Sequence, residues 1–93
     1  MKYTVVWEPT AESELAELWM RATDRDGVAW AADRIDALLL NNPQQRGEPH
    51  SGARRTLIVP PLGIIFKVEE DDRKVRVLAV WYIPAALSNG SSR

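Results

Sequence analysis

The chain has no cysteine and a single histidine, His50. The first absence removes disulfides, thiolate nucleophiles and Cys-ligated zinc, and it is what a reducing compartment permits. One histidine without cysteine supplies no zinc-ligand set, so neither a metal nor another cofactor is expected. Long apolar runs are missing too: the longest, Leu57 to Phe66, is broken by Pro60 and Pro61 and cannot span a bilayer. There is no Gly-rich phosphate loop, no His-Glu-x-x-His and no Ser-His-Asp set. Met1-Lys2-Tyr3-Thr4 leads into acidic residues rather than an apolar segment, which makes the cytoplasm the expected address and a membrane role unexpected.

What is present reads as an ordinary globular domain. With 93 residues, 45% of them hydrophobic and 27% charged, the chain supports one core, burying roughly 60 to 65% of the unfolded surface. One domain over residues 1–84 is expected, with a flexible Ser- and Asn-containing tail over 85–93. The net charge of −1 conceals an asymmetry. Residues 1–49 carry five Lys and Arg against nine Asp and Glu, whereas residues 50–93 carry seven against four. An anionic partner therefore suits the second half only, and nonspecific coating of nucleic acid is disfavoured.

Tyr3 to Trp7 alternates aromatic and β-branched residues, a strand signal that stops at Glu8-Pro9. Pro9 in a first helical turn, with Glu12, Glu14 and Glu17 near the positive end of the dipole, starts a helix. Its stripe is Ala11, Leu15, Leu18 and Ala22, with Trp19 beside it. Thr23 to Gly27 interrupts that helix, and Asp26 is the expected N-cap of a second one, whose stripe is Val28, Ala31, Ala32, Ile35, Leu38 and Leu39. The two helices form an antiparallel hairpin. Asn41 to Ala53 then reads as a polar connector in which His50 is a surface residue.

Arg54 to Tyr82 reads as three strands joined by two turns, so the expected fold class is α+β, with element order β-α-α-β-β-β. The helical hairpin covers one face of a small, mostly antiparallel sheet. With Glu70 to Arg73 as the second turn, Glu69 opposes Lys74, Phe66 opposes Val77, Lys67 opposes Arg76, Ile65 opposes Leu78 and Ile64 opposes Ala79. A first turn around Pro60 to Gly63 that pairs Val59 with Ile64 puts Arg54 opposite Glu69 and Thr56 opposite Lys67. One face is then apolar. The other gathers Arg54, Lys67, Arg76 and Tyr82, with Ile58, Ile65, Leu78 and Val80 as partner-binding candidates. Lys67 facing Arg76 is an unfavourable like-charge pair. Glu69 and solvent can compensate it; so can an anionic ligand, either nucleic-acid phosphate or an acidic peptide. Trp7, Trp19, Trp30 and Trp81 are expected in core and rim packing, and the acidic run Glu69 to Asp72 as a solvated turn rather than a metal site.

This element order resembles the RelE/ParE family of toxins from type II toxin-antitoxin pairs. The matching segments are Val5-Val6-Trp7-Glu8-Pro9 entering Ala11-Glu12-Ser13-Glu14-Leu15, then Arg55 to Val59, and Ile64 through Trp81. The resemblance implies a toxin held by a cognate antitoxin. It further implies a ribosome-dependent, metal-independent endonuclease of messenger RNA, or alternatively a poison of DNA gyrase or a catalytically silent interaction module. Under the nuclease reading Arg54, Lys67, Arg76 and Tyr82 are the catalytic candidates, and Arg54, Arg55, Lys67 and Arg76 bind RNA or another anion. The chain departs from the family pattern at Gly63, where an arginine is expected, and at Ile83-Pro84-Ala85, where a basic or histidine residue and a terminal tyrosine are expected.

Overall fold

The computed structural model describes residues 2–83. A first strand, β1 (Thr4–Trp7), leads into helices α1 (Pro9–Arg21) and α2 (Arg25–Leu39). A helical turn at Pro43–Gln45 and a short strand, β2 (Glu48–Pro49), precede the meander β3 (Arg54–Val59), β4 (Leu62–Glu69) and β5 (Lys74–Tyr82). The five strands lie in the order β1-β5-β4-β3-β2, with β1 parallel to β5 and every other pairing antiparallel. The α+β architecture is the one expected. The connector over residues 41–53 is more structured than a plain loop, because β2 pairs with β3 through Glu48–Thr56 and Pro49–Arg55. The tail expected over 85–93 lies outside the described residues. No helix among those described is long and apolar enough to cross a membrane.

Helix α1 begins at Pro9, whose missing N–H costs nothing in a first turn. Its stripe holds, with Ala11 fully buried and Leu15, Leu18 and Ala22 packed against the core. The N-cap of α2 is Asp24, not Asp26: its Oδ1 accepts from the Gly27 N–H at 2.9 Å. Asp26 is already helical and acts only through the helix dipole. Arg25 secures the hairpin by donating to the carbonyls of Trp19 (3.1 Å) and Met20 (2.9 Å) at the open end of α1. The core is formed by Val28, Ala31, Ile35 and Leu39 of α2 against Leu57, Val59, Leu62, Ile64, Phe66, Val75, Val77 and Val80 of the sheet.

Two details of register differ from expectation. Pro60 and Pro61, joined by a cis bond, reverse the chain in two residues, so Val59 pairs with Leu62 and Arg54 with Lys67. The expected pairings of Val59 with Ile64, Arg54 with Glu69 and Thr56 with Lys67 are thereby replaced. The shift is an even number of residues, so each side chain keeps its face while changing its partner. In the second hairpin the pairing follows expectation from Glu69–Lys74 to Phe66–Val77. A β-bulge at Leu78 then intervenes, and Ile65 pairs with Ala79 and Ile64 with Val80. One extra residue reverses the alternation of everything beyond it.

Candidate functional site

On the face of the sheet that the helices leave open, Arg54, Lys67 and Arg76 stand side by side in one row across β3, β4 and β5. The three cations are not equivalent. Arg76 donates from Nη1 to Glu8 at 2.8 Å and from Nε to Glu69 at 3.0 Å. Hydrogen bonding to Glu8, and next to Glu69, holds its guanidinium above the ordinary arginine pKa. Glu8 reaches it because β1 runs parallel beside β5 and its last backbone bond, Glu8 N–H to Val77 C=O at 2.9 Å, carries the chain past Trp7. Glu8 is also the residue before α1, and its carboxylate makes no capping bond there. Arg54 and Lys67, by contrast, are exposed and have no ion pair among the described residues. They border a depression of about 410 Å³ whose other walls are the turn Ser51–Ala53, Glu69, Arg76 and Leu78.

Three expected members lie elsewhere. The bulge turns Val80 inward, where it is 6% exposed, and sends Tyr82 to the helix side against the core, beside Leu18 and Ala22. Arg55 follows Arg54 in an alternating strand and so faces the helices as well. Its guanidinium donates to the carbonyls of Arg46 (2.9 Å) and Gly47 (3.1 Å), tying the 46–47 bend to β3. Ile58, Ile65 and Leu78 do lie on the open face, and Ile58 is 48% exposed.

Two features escaped the sequence reading. Trp81, also turned by the bulge, lies on the open face with its indole against the backbone of Gly63, where an added Cβ would come 2.5 Å from ring carbon Cε2. This contact explains the glycine, since any side chain at 63 would displace the ring. Trp7 follows the packing expectation, its indole N–H donating to Asp36 Oδ1 at 2.8 Å, and Trp81, 38% exposed, packs at the rim, whereas Trp19 and Trp30 are 43% and 58% exposed. The second feature is the pairing that continues through His50. The residue is exposed, as the sequence implied, and its backbone N–H donates to the Arg54 carbonyl at 2.9 Å, extending the contact between the connector and β3 by one residue beyond Pro49. The signals available were Gly47 and Gly52, both left-handed (φ 64° and 57°), bracketing a short paired segment.

A second concave surface lies on the hairpin, away from the sheet. Between α1 and α2 an apolar groove of about 580 Å³ is floored by Leu15, Trp19, Met20, Val28 and Ala32 and edged by Glu12 and Asp33.

Residues 5–82 match the family model described as the ParE toxin of type II toxin-antitoxin system, parDE. The chain is similar in fold to the toxin-antitoxin complex RelBE2 from Mycobacterium tuberculosis (18% identity over 88% of this chain and 92% of that one, TM-score 0.72). It is similar also to the chromosomal ParDE system from P. aeruginosa (16% identity, 89% and 98% covered, TM-score 0.68). A mutant of the E. coli toxin RelE in the free state matches over 98% of this chain and 93% of its own, at 18% identity and a TM-score of 0.61. No curated protein matches the sequence significantly.

Proposed function

The chain belongs to the family of ParE toxins of type II toxin-antitoxin systems, and on that premise we propose that it is the toxin of such a pair and cleaves messenger RNA on its open sheet face. The observation that carries this reading is the pair of cations, Arg54 and Lys67, that have no ion pair among the described residues and border one depression beside an Arg76 bonded to two carboxylates. A phosphodiester laid over Arg54 gains two charge-assisted contacts, and the same cations stabilise the extra negative charge that develops at phosphorus. Arg76 contributes less, since Glu8 and Glu69 already balance its charge and take two of its five N–H donors. Incubating the protein with translating ribosomes and a defined message tests the reading. Cut message supports it, and intact message with blocked DNA supercoiling by gyrase replaces it.

Gyrase poisoning is the second reading. It is favoured by the match to the ParE family model and by Tyr82 facing away from the cations. Under either reading the antitoxin is accommodated by the hairpin groove, whose apolar floor and acidic edges suit a basic amphipathic helix. An A16R variant should bind antitoxin at least about tenfold more weakly while remaining toxic.

A further inference from the structure

We propose that Trp81 is a stacking platform for one nucleobase of a single-stranded message lying on the open face. The inference rests on the endoribonuclease reading and deepens it by adding a base site to the phosphate site. Three rows of side chains cross that face: Arg54, Lys67 and Arg76 form the first, Thr56, Ile65 and Ala79 the second, and Ile58, Gly63 and Trp81 the third. The first row is charged throughout, and the other two carry no charge. The face thus offers cations at one end and apolar surface at the other, about 13 Å apart along β4 from Lys67 to Gly63.

How the indole sits decides what the apolar end can hold. A Cβ added to Gly63 would meet Cε2, Cζ2 and Nε1 of Trp81 at 2.5, 2.7 and 2.7 Å. Cε2 is a ring-fusion carbon without a hydrogen, so its being the nearest atom means that the indole meets Gly63 with its flat face and not with an edge. The opposite ring face is turned away from the sheet, and the residue is 38% exposed. Ile58, 48% exposed on the other side of Gly63, extends the surface. An apolar patch alone would accept a partner's side chains as readily as a base. Here the flat ring shares its face with Arg54 and Lys67, which have no ion pair among the described residues. Phosphates and bases alternate along a single strand, so one short strand satisfies both ends, its backbone tracking the cations and a base lying on the indole. Every base has a π-face, so the platform sets how tightly message is held rather than which codon is cut.

The test compares wild type, W81F and W81L on ribosomes programmed with a defined message, either intact or carrying one abasic residue at each position flanking the cut. Circular dichroism establishes that each variant is folded. Loss of the ring in W81L should raise the half-saturating concentration of programmed ribosomes by about fivefold or more. The maximal rate should stay within about twofold, the pattern of lost binding rather than lost chemistry. W81F keeps a ring and should stay within about threefold of wild type throughout. For wild type, one abasic position should carry a penalty as large as that of W81L, and W81L should not feel it, because the same contact is already gone. W81L that saturates like wild type overturns the proposal, as do abasic penalties equal in the two proteins at every position, or a fall in maximal rate at unchanged half-saturation. So does W81L that cuts message normally while binding its antitoxin at least about tenfold more weakly, which would make the patch a protein contact. If W81L does not fold, the wild-type scan decides, and the absence of any penalised position removes the platform. Wild type that cuts no message overturns the endoribonuclease reading along with this one, whereas wild type and W81L cutting alike leaves that reading standing.

Discussion

The two faces of one sheet are built on opposite rules. On the helix side Leu62, Ile64, Phe66, Val75 and Val77 are sealed beneath the two helices, and no buried polar or charged residue interrupts them among the described residues. On the open side, Arg54 and Lys67 stand next to each other with no carboxylate between them, although Glu8 and Glu69 are spent on Arg76 one strand away. The covered face is what packing energy selects. The open face keeps a like-charge neighbourhood that folding alone would not favour, which is why we propose it as the working surface.

Substitutions on the two sides should separate accordingly. The largest effect is expected from Phe66, fully buried at the centre of the sheet: F66A should lose about 3–5 kcal/mol in urea unfolding and take function with it. A loss below about 1 kcal/mol would mean the covered face is not the dominant source of stability. G63A tests the open side's own packing, since the new Cβ meets the Trp81 indole. It should cost roughly 1–3 kcal/mol, and the G63A/W81A double variant should recover part of that loss. Removing the α2 cap with D24A should cost about 1 kcal/mol, with helix content falling by far-UV circular dichroism.

The smallest effect concerns the hairpin tip. Tyr3 donates its hydroxyl to Glu70 (2.9 Å), and this hydrogen bond is the main cause of a pKa raised above the usual 10.0. A raised pKa means the contact contributes fully below pH 10 and is lost as the pH climbs through the Tyr3 value. Absorbance titration at alkaline pH should therefore show a late-ionising phenol that Y3F removes, and Y3F titrating like wild type would deny the contact.

Much of this contrast was legible in residue order. The helix stripes repeat at three and four residues, and from Glu69–Lys74 to Phe66–Val77 the alternation admits a single register. It failed where alternation fades. Val77-Leu78-Ala79-Val80 is apolar throughout, so no pattern announces the bulge at Leu78 that exchanges the faces of Val80, Trp81 and Tyr82. Two prolines in succession signal a turn but not its length, which hid the pairing of Arg54 with Lys67. The strand Glu48–Pro49 was hidden because two residues are too few to show any period. Glu8 lies 68 positions from Arg76 and meets it only through the parallel pairing of β1 with β5.

The open face as the seat of activity is tested most directly by an R54A/K67A double variant, assayed for message cleavage on translating ribosomes and for its urea midpoint on the same preparation. Cleavage should fall by at least about 10²-fold while the midpoint stays within the equivalent of about 0.5 kcal/mol per substitution. Undiminished cleavage by a double variant as stable as the parent would contradict the account.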